Sequence, residues 1–279
     1  MSRLFRFSWA LMALLSLFPP PSFANRSPDD LNLQGELTQG GMVLGKVAPG
    51  TGVMLNGKAV AVAKTGDYVI GFGRDEDLSQ TLALTLPSGE VRTYPLALSK
   101  RDYDIQRIEG IPKKIMSPSK ENLKRIREET RQVNEARGAL VERLDFLPGF
   151  DWPLKGPITG VYGSQRFYNG EPNRPHFGLD IAAPVGTPVV APADGVVTLA
   201  HPDMFYSGGT LIIDHGMGVF STFIHLNKVL VKKGDKLQRG QKVALVGAKG
   251  RSTGPHLDWR LNWFEVRLDP ALVMKNKPQ

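Results

Sequence analysis

The residues best suited to chemistry in this chain are five histidines, at positions 176, 201, 215, 225 and 256. His176 and Asp180 stand four residues apart across Phe177-Gly178-Leu179. In a straight strand their Cα atoms would lie about 13 Å apart, whereas zinc ligand atoms must converge to about 2.0–2.2 Å from one ion. The backbone must therefore bend between them, and Gly178 is the residue expected to permit the bend. A helix would also bring the pair together, but Gly178 and the following Pro184 and Pro188 argue against one. His256 and Asp258 lie in a run that alternates cleanly. Leu257, Trp259 and Leu261 point one way, and His256, Asp258 and Arg260 the other. Such a strand has a dry face and a chemically active face, and two groups on one pleat surface can address one metal and its water. His225 ends the run Phe223-Ile224-His225-Leu226. Taken alone, a histidine on an apolar strand is more often a satisfied core or edge residue than a catalyst.

These residues need a scaffold of strands. From Asp151 onward the chain is β-rich with Gly and Pro punctuation. Strands are predicted at Val189–Ala191, Gly195–Leu199, Thr210–Ile213, Val219–Ile224, Gln241–Val246 and Leu257–Leu261. Residues 31–108 also read as short strands, separated by turn signals such as Pro49-Gly50, Asn56-Gly57 and Pro87-Ser88-Gly89. That stretch has no histidine and suits a small sandwich or barrel that docks or spaces. Between the two, Leu123, Ile126, Thr130, Val133, Arg137, Leu140 and Leu144 step by three and four, which predicts a helix over 119–144 with Ser119 as its N-cap. Its stripe suits a connecting helix packed on a neighbouring unit; a dimer helix or a movable arm over the site is the sharper alternative.

Composition sets the outer limits. The chain has 279 residues, enough for two compact units. It has no cysteine, which excludes disulfides, zinc–thiolate sites, lipoprotein acylation and a cysteine nucleophile. Arg3 and Arg6, the stretch Phe7–Phe18 and the small-x-small site Ser22-Phe23-Ala24 read as a secretory leader. The apolar stretch is shorter than the ~20 residues that span a bilayer, so the mature chain is expected to be exported and to lack a transmembrane segment. The formal charge of +8 suits a location near polyanions or simply maintains solubility, and no nucleic-acid motif accompanies it.

Residues from about Trp152 to Pro270 resemble the lysostaphin-type (LytM-like) zinc metalloendopeptidases of bacterial cell walls. The resemblance is carried by several blocks in family order. They are His176-Phe-Gly-Leu-Asp180 with the following Ile181–Pro192, Ala193-Asp-Gly-Val-Val197, Ile213-Asp-His-Gly216, Phe223-Ile-His-Leu226, Val231–Asp235, Gly240-Gln-Lys-Val243 and Ser252-Thr-Gly-Pro-His-Leu257. It implies a mostly antiparallel β-sheet cleft, one zinc ion held by His176 and Asp180, a general base at His256, and His225 steadying the oxyanion or the nucleophile. His215 would be structural, and His201 falls outside the motifs as a surface-loop residue.

The sequence departs from the family where a third ligand histidine is usual: Asp258 stands there, with Arg260 where an acid is usual. Either Asp258 is the third ligand, since carboxylate oxygen binds zinc at nearly the imidazole distance, or Arg260 pairs with Asp258 and the metal is held weakly. The first reading gives a zinc endopeptidase acting on stem or cross-link peptides of peptidoglycan. The second gives a peptidase-like domain that binds the wall or activates another hydrolase. Arg166, Tyr168, Asn169 and Tyr206 are candidate substrate-binding residues on the flanking loops. The expected organisation is a mostly β chain with a leader (1–24), a small β domain (25–112), a helical linker (113–148) and a peptidase-like domain (149–279). Peptidoglycan peptides are the expected partners, another envelope protein is a further candidate through the β domain or the helix, and the periplasm is the favoured compartment, with the external medium as the alternative.

Overall fold

The structure is a computed structural model that describes residues 31–108 and 119–275. The leader assigned to 1–24 lies outside these residues. Strands dominate the described residues, and the α-helix Lys120–Ala136 separates two β-rich regions.

In the first region, Leu33–Gly35, Met42–Lys46 and Asp67–Gly71 form an antiparallel three-stranded sheet. Lys58–Val60, Gly52–Leu55, Ser79–Thr85 and Val91–Ala97 form an antiparallel four-stranded one, in that order. The hairpin foreseen at Asn56-Gly57 is present. Both residues have positive φ, 49° and 76°, the backbone that a two-residue turn between right-twisted strands requires. Val43, Tyr68 and Ile70 from one sheet share a core with Val53, Leu82, Tyr94 and Leu96 from the other. The strand Ile105–Ile108 pairs with neither sheet. It runs parallel to Gln165–Tyr168, the first strand of a hairpin that precedes His176.

The second region is built on an eight-stranded sheet. Its order is Lys236–Leu237, Gly195–Met204, Gly208–Asp214, Val219–Leu226, His256–Trp263, Leu179–Ala182 and Ile158–Gly160, with Val266–Leu268 paired to His256–Trp263. Neighbouring strands are antiparallel. Alternation along His256–Trp263 works as the sequence predicts. Leu257, Trp259 and Leu261 are fully buried and join a core with Phe146, Phe150, Leu179, Ile181 and Phe223. The opposite face carries Asp258 and Arg260, which lie beside Ile224 and Thr222 in register.

The helix packs on that opposite face through its last turn, where Ala136 meets Ile212 and Phe220. It is capped by Ser119, whose side chain accepts from Asn122 N, and carries Glu121 in its first turn. It ends at Ala136, eight residues short of the predicted end at 144. Gly138 follows the C-cap Arg137, and the next residues spend their backbone groups on a hairpin instead: Val141 O accepts from Met217 N and Asp145 N donates to His215 O. A chain pulled into those bonds cannot also continue the i to i−4 ladder.

Candidate metal centre

His176 is placed by its own backbone. Its amide donates to Ser164 O at 2.8 Å, and Gly163 N donates to its carbonyl at 2.8 Å, so the base of the 165–172 hairpin fixes it. Asp180 sits on the strand Leu179–Ala182, with Asp258 beside it in register on one flank and Gly160 on the other. A Cβ on Gly160 would lie 2.3 Å from Asp180 Oδ2, so no larger residue leaves room for that carboxylate. Gly178 has a related role, which corrects the expectation of a permissive bend. It has no positive φ, but a Cβ there would stand 2.0 Å from Asp258 Oδ1 and 2.9 Å from the Arg260 side chain. Glycine is required at 178 for close approach, not for backbone freedom.

One ligand atom from each of His176, Asp180 and Asp258 lies within 4.8 Å of the other two, the one group of this kind found among the described residues. His176 Nε2 and Asp180 Oδ1 stand 3.2 Å apart. Both atoms are sealed from solvent, and no hydrogen bond of acceptable geometry satisfies either. Buried polar atoms are nearly always paired, so two converging orphans mark a place built for a cation. The electrostatics agree. Burial lowers the pKa of His176, but the neighbouring Asp180 and Asp258 carboxylates outweigh it and hold the imidazole above the ordinary histidine value. A nitrogen and carboxylate oxygens around one point form a competent donor set for zinc.

Asp258 is shared. Arg260 Nε donates to its Oδ1 at 3.0 Å and to its Oδ2 at 3.1 Å, and Arg260 Nη2 donates to Oδ2 at 2.6 Å. Burial pushes the Asp258 carboxyl upward, yet Arg260 overcomes this and leaves it below the usual carboxylate range.

Two histidines border the cluster. His256 Nδ1 is 2.8 Å from Gly254 O and 3.3 Å from Ser252 Oγ, while its Nε2 lies 3.8 Å from Asp180 Oδ1. His225 Nδ1 is 2.8 Å from Lys249 O, and its ring centroid is 4.9 Å from that of His256. In each ring a carbonyl acceptor assigns the proton to Nδ1 and leaves Nε2 with a lone pair. His225 reaches this place through an irregularity. Simple alternation would send it to the core face with Phe223 and Ser221. A register shift opposite Gly209–Leu211 and a φ of 63° turn it toward His256 instead. Burial is the main cause of its lowered pKa, so the ring is neutral at physiological pH.

The other predicted residues are distributed around this centre. Arg166 and Tyr168 lie on the hairpin strand that joins Ile105–Ile108, and Arg166 Nε donates to Gln106 Oε1 at 3.2 Å. Asn169 makes the hairpin turn with φ of 51°. Tyr206 is exposed, stacks edge-on to Phe205 at 4.8 Å and lies under the Arg251 guanidinium at 5.1 Å. His215 is fully buried, with its ring nitrogens 2.6 Å from Asp194 O and 2.9 Å from Ser221 Oγ. His201 departs from its expected loop. It sits within Gly195–Met204, opposite Thr210, because the strand runs past the predicted end at Leu199. Sequence reasoning placed Arg137 only in the helical stripe and gave neither Arg174 nor Arg267 a role at the site, yet the fold brings all three near Arg260. No spacing signals this, since the four come from a helix end, a loop and two strands.

A cation held by this donor set, with two imidazole acceptors at its edge, is suited to metal-assisted hydrolysis. Comparison with known proteins points the same way. The sequence pattern of peptidase family M23 matches residues 174–270. The chain is 48% identical over 103 residues to the peptidoglycan DD-endopeptidase ShyA of Vibrio cholerae, covering 36% of this chain and 23% of that protein. It is 42% identical over 129 residues to ShyB of the same organism, covering 46% of this chain and 26% of that protein. The matched stretch thus spans about a quarter of each of these relatives. Agreement is wider with the crystal structure of a Pseudomonas aeruginosa protein assigned to peptidase M23. Identity is 30%, coverage is 86% of this chain and 95% of that one, and the TM-score is 0.67. The chain belongs to peptidase family M23.

Proposed function

We propose that this chain is an exported, zinc-dependent endopeptidase that hydrolyses peptide bonds in the stem or cross-link peptides of peptidoglycan. The observation that carries this reading is the convergence of the unsatisfied, buried His176 Nε2 and Asp180 Oδ1 on the Asp258 carboxylate. Those three residues would hold the ion. The usual ligand set of two histidines and one aspartate leaves a single positive unit on zinc. Two aspartates would cancel it, but the Arg260 guanidinium bound to Asp258 returns one unit of positive charge to the site. Zinc bound there supplies Lewis-acid polarisation of the scissile carbonyl and acidifies a water molecule.

The histidines move and hold the proton. His256, with Nδ1–H fixed on Gly254 O, presents Nε2 to accept the proton of the attacking water and to return it to the leaving amine. His225 presents Nε2 in the same way from Lys249 O. A neutral ring in that tautomer accepts a hydrogen bond, so of the two roles open to His225 the steadying of the nucleophile fits better than donation to the oxyanion. Arg166, Tyr168, Asn169 and Tyr206 would form the cleft walls. The peptidoglycan substrate and the envelope location, with the periplasm favoured, rest on the activities named for ShyA and ShyB. The N-terminal β region and the helix would serve as docking elements, with another envelope protein as a candidate partner.

The bidentate Arg260–Asp258 pair favours a second reading, a metal-free domain that binds the wall or activates another hydrolase. Zinc content and muropeptide hydrolysis of the wild type and of Asp258→Ala separate the two. The enzyme reading expects one zinc per chain and cleavage that a chelator abolishes, with both lost in the variant. A wild type that holds zinc yet leaves several cross-link types intact would exclude it, and zinc content unchanged in Asp258→Ala would remove Asp258 from the ligand set.

A further inference from the structure

Arg137, Arg174 and Arg267 form no ion pair among the described residues, although all three lie close enough to Arg260 to feel its charge. Arg267 is the cross-strand partner of Asn262, and its Nη1 donates to Asn262 Oδ1 at 3.1 Å. Its side chain therefore shares the face of Arg260 and Asp258. Arg137 reaches that face from the end of the helix, with Nη2 donating to Thr222 Oγ1 at 2.7 Å, and Thr222 is the register partner of Arg260. Arg137 is only 4% exposed, and its Nε is sealed from solvent without an acceptor. Arg174 precedes His176 by two residues, with its guanidinium 5.6 Å from the Phe177 ring centroid and its side chain open to solvent.

These groups repel one another. Burial first, then Arg267, Arg260 and Arg174, lowers Arg137 to about 9. Burial first, then Arg260 and Arg174, lowers Arg267 to about 10. Glu265 acts on both in the opposite sense without pairing to either. Uncompensated guanidinium groups in a partly dry site are costly unless an anion completes them. The Nε–Nη2 fork of Arg260 is taken by Asp258, which leaves the other arginines as the better receivers of a second carboxylate. Arg174 and Arg267 can receive a ligand from solvent, and a planar guanidinium matches a carboxylate in two parallel hydrogen bonds.

We propose that Arg174 and Arg267, backed by Arg137, form an anion subsite beside the metal ligands that receives a free carboxylate of the peptide substrate. This names a specificity determinant for the same cleft and so rests on the endopeptidase reading. The experiment uses pairs of muropeptides of one sequence, with the carboxylates flanking the scissile bond free or amidated. Hydrolysis is measured on the full zinc-loaded chain, and equilibrium binding on its His256→Ala variant. Losing a charge-assisted pair weakens binding about ten- to a hundredfold, so amidation should raise KM and Kd by that factor. Arg267→Gln and, independently, the exposed Arg174→Gln should shrink the preference while retaining affinity for the amidated peptide. Melting curves establish that each variant is folded.

Equal binding of free and amidated peptides by the unsubstituted arginine site, or a preference undiminished in both arginine variants, would overturn the subsite. Cleavage without preference removes the subsite and keeps the endopeptidase. Preferential binding without cleavage keeps the subsite and removes the endopeptidase. A pair that neither binds nor is cleaved removes both.

Discussion

Asp258 has two claims on it, the Arg260 guanidinium in its bidentate grip and the cation site formed with His176 and Asp180. The two are compatible, because a carboxylate has lone pairs enough to serve a guanidinium and a metal together. The consequence is measurable. Arg260→Met leaves Asp258 buried without its counter-ion, a change that costs about 3–5 kcal/mol when a buried pair is broken from one side. The zinc-free variant should therefore melt well below the zinc-free wild type. Zinc held by the folded chain alone would replace the lost positive charge, so at saturating zinc the gap should narrow. Thermal melts of both proteins with and without zinc test this, and an equal gap in the two conditions would mean that Asp258 does not reach the metal. Much of this chemistry is legible in the sequence because His256, Asp258 and Arg260 follow the period of a strand. His225 is not legible in the same way. Its position depends on a register shift and a left-handed backbone at a non-glycine residue, which alternation alone would have sent to the core.

Among the elements, the strands of the large sheet are tied together behind the site by a polar chain. His215 Nδ1 meets Asp194 O, its Nε2 meets Ser221 Oγ, and Trp259 Nε1 donates to that same Ser221 Oγ at 3.2 Å. The turn before Gly195–Met204, the turn after Gly208–Asp214 and the strand that carries Asp258 are thus joined through one neutral imidazole. Burial pushes that imidazole down to about 4. An unfolded histidine titrates near 6.5, so over the interval between the two values the unfolded chain binds the proton and the folded chain does not. The contribution is complete above about pH 6.5, falls as pH falls toward about 4, and totals roughly 3 kcal/mol. Urea midpoints across that range should decline for the wild type more steeply than for His215→Gln. Parallel slopes would show that His215 does not stay neutral in the fold. The strands and their alternation were legible here, whereas the end of the helix was not. Leu140 and Leu144 continue the three-four stepping, but the backbone from Val141 to Asp145 is claimed by the hairpin around His215, a competition that periodicity cannot register.

For the whole molecule, the contact between the two β regions shapes the metal-side region. Met42, Ala63 and Val69 from the N-terminal region belong to the same hydrophobic cluster as Leu257, Trp259 and Leu261. Arg101 pairs with the buried Asp269 at 2.8 Å, and Asp269 N donates to Gly40 O at 2.8 Å. Arg74 Nε reaches Gly163 O at 2.8 Å, beside the backbone that holds His176. Two units were legible as separate β stretches, but their shared core was not, since no pattern in either strand set marks which face meets a neighbour. Such sharing implies cooperative unfolding. Calorimetry of the wild type should give a single transition in which both regions melt together. Gly71 is where that coupling can be cut: a Cβ there would stand 2.8 Å from Leu268 Cδ2 and 3.2 Å from Trp263 Cβ. Gly71→Val forces a branched side chain into this seam, at an overpacking cost of about 1–3 kcal/mol. Because the strain falls on Leu268 and Trp263, where the N-terminal strands meet the large sheet, the single transition should split in two, and Gly71→Ala should split it less. A wild type that already melts in two steps, or a Gly71→Val variant that melts later than the wild type in one step, would show that the regions are neighbours without being coupled.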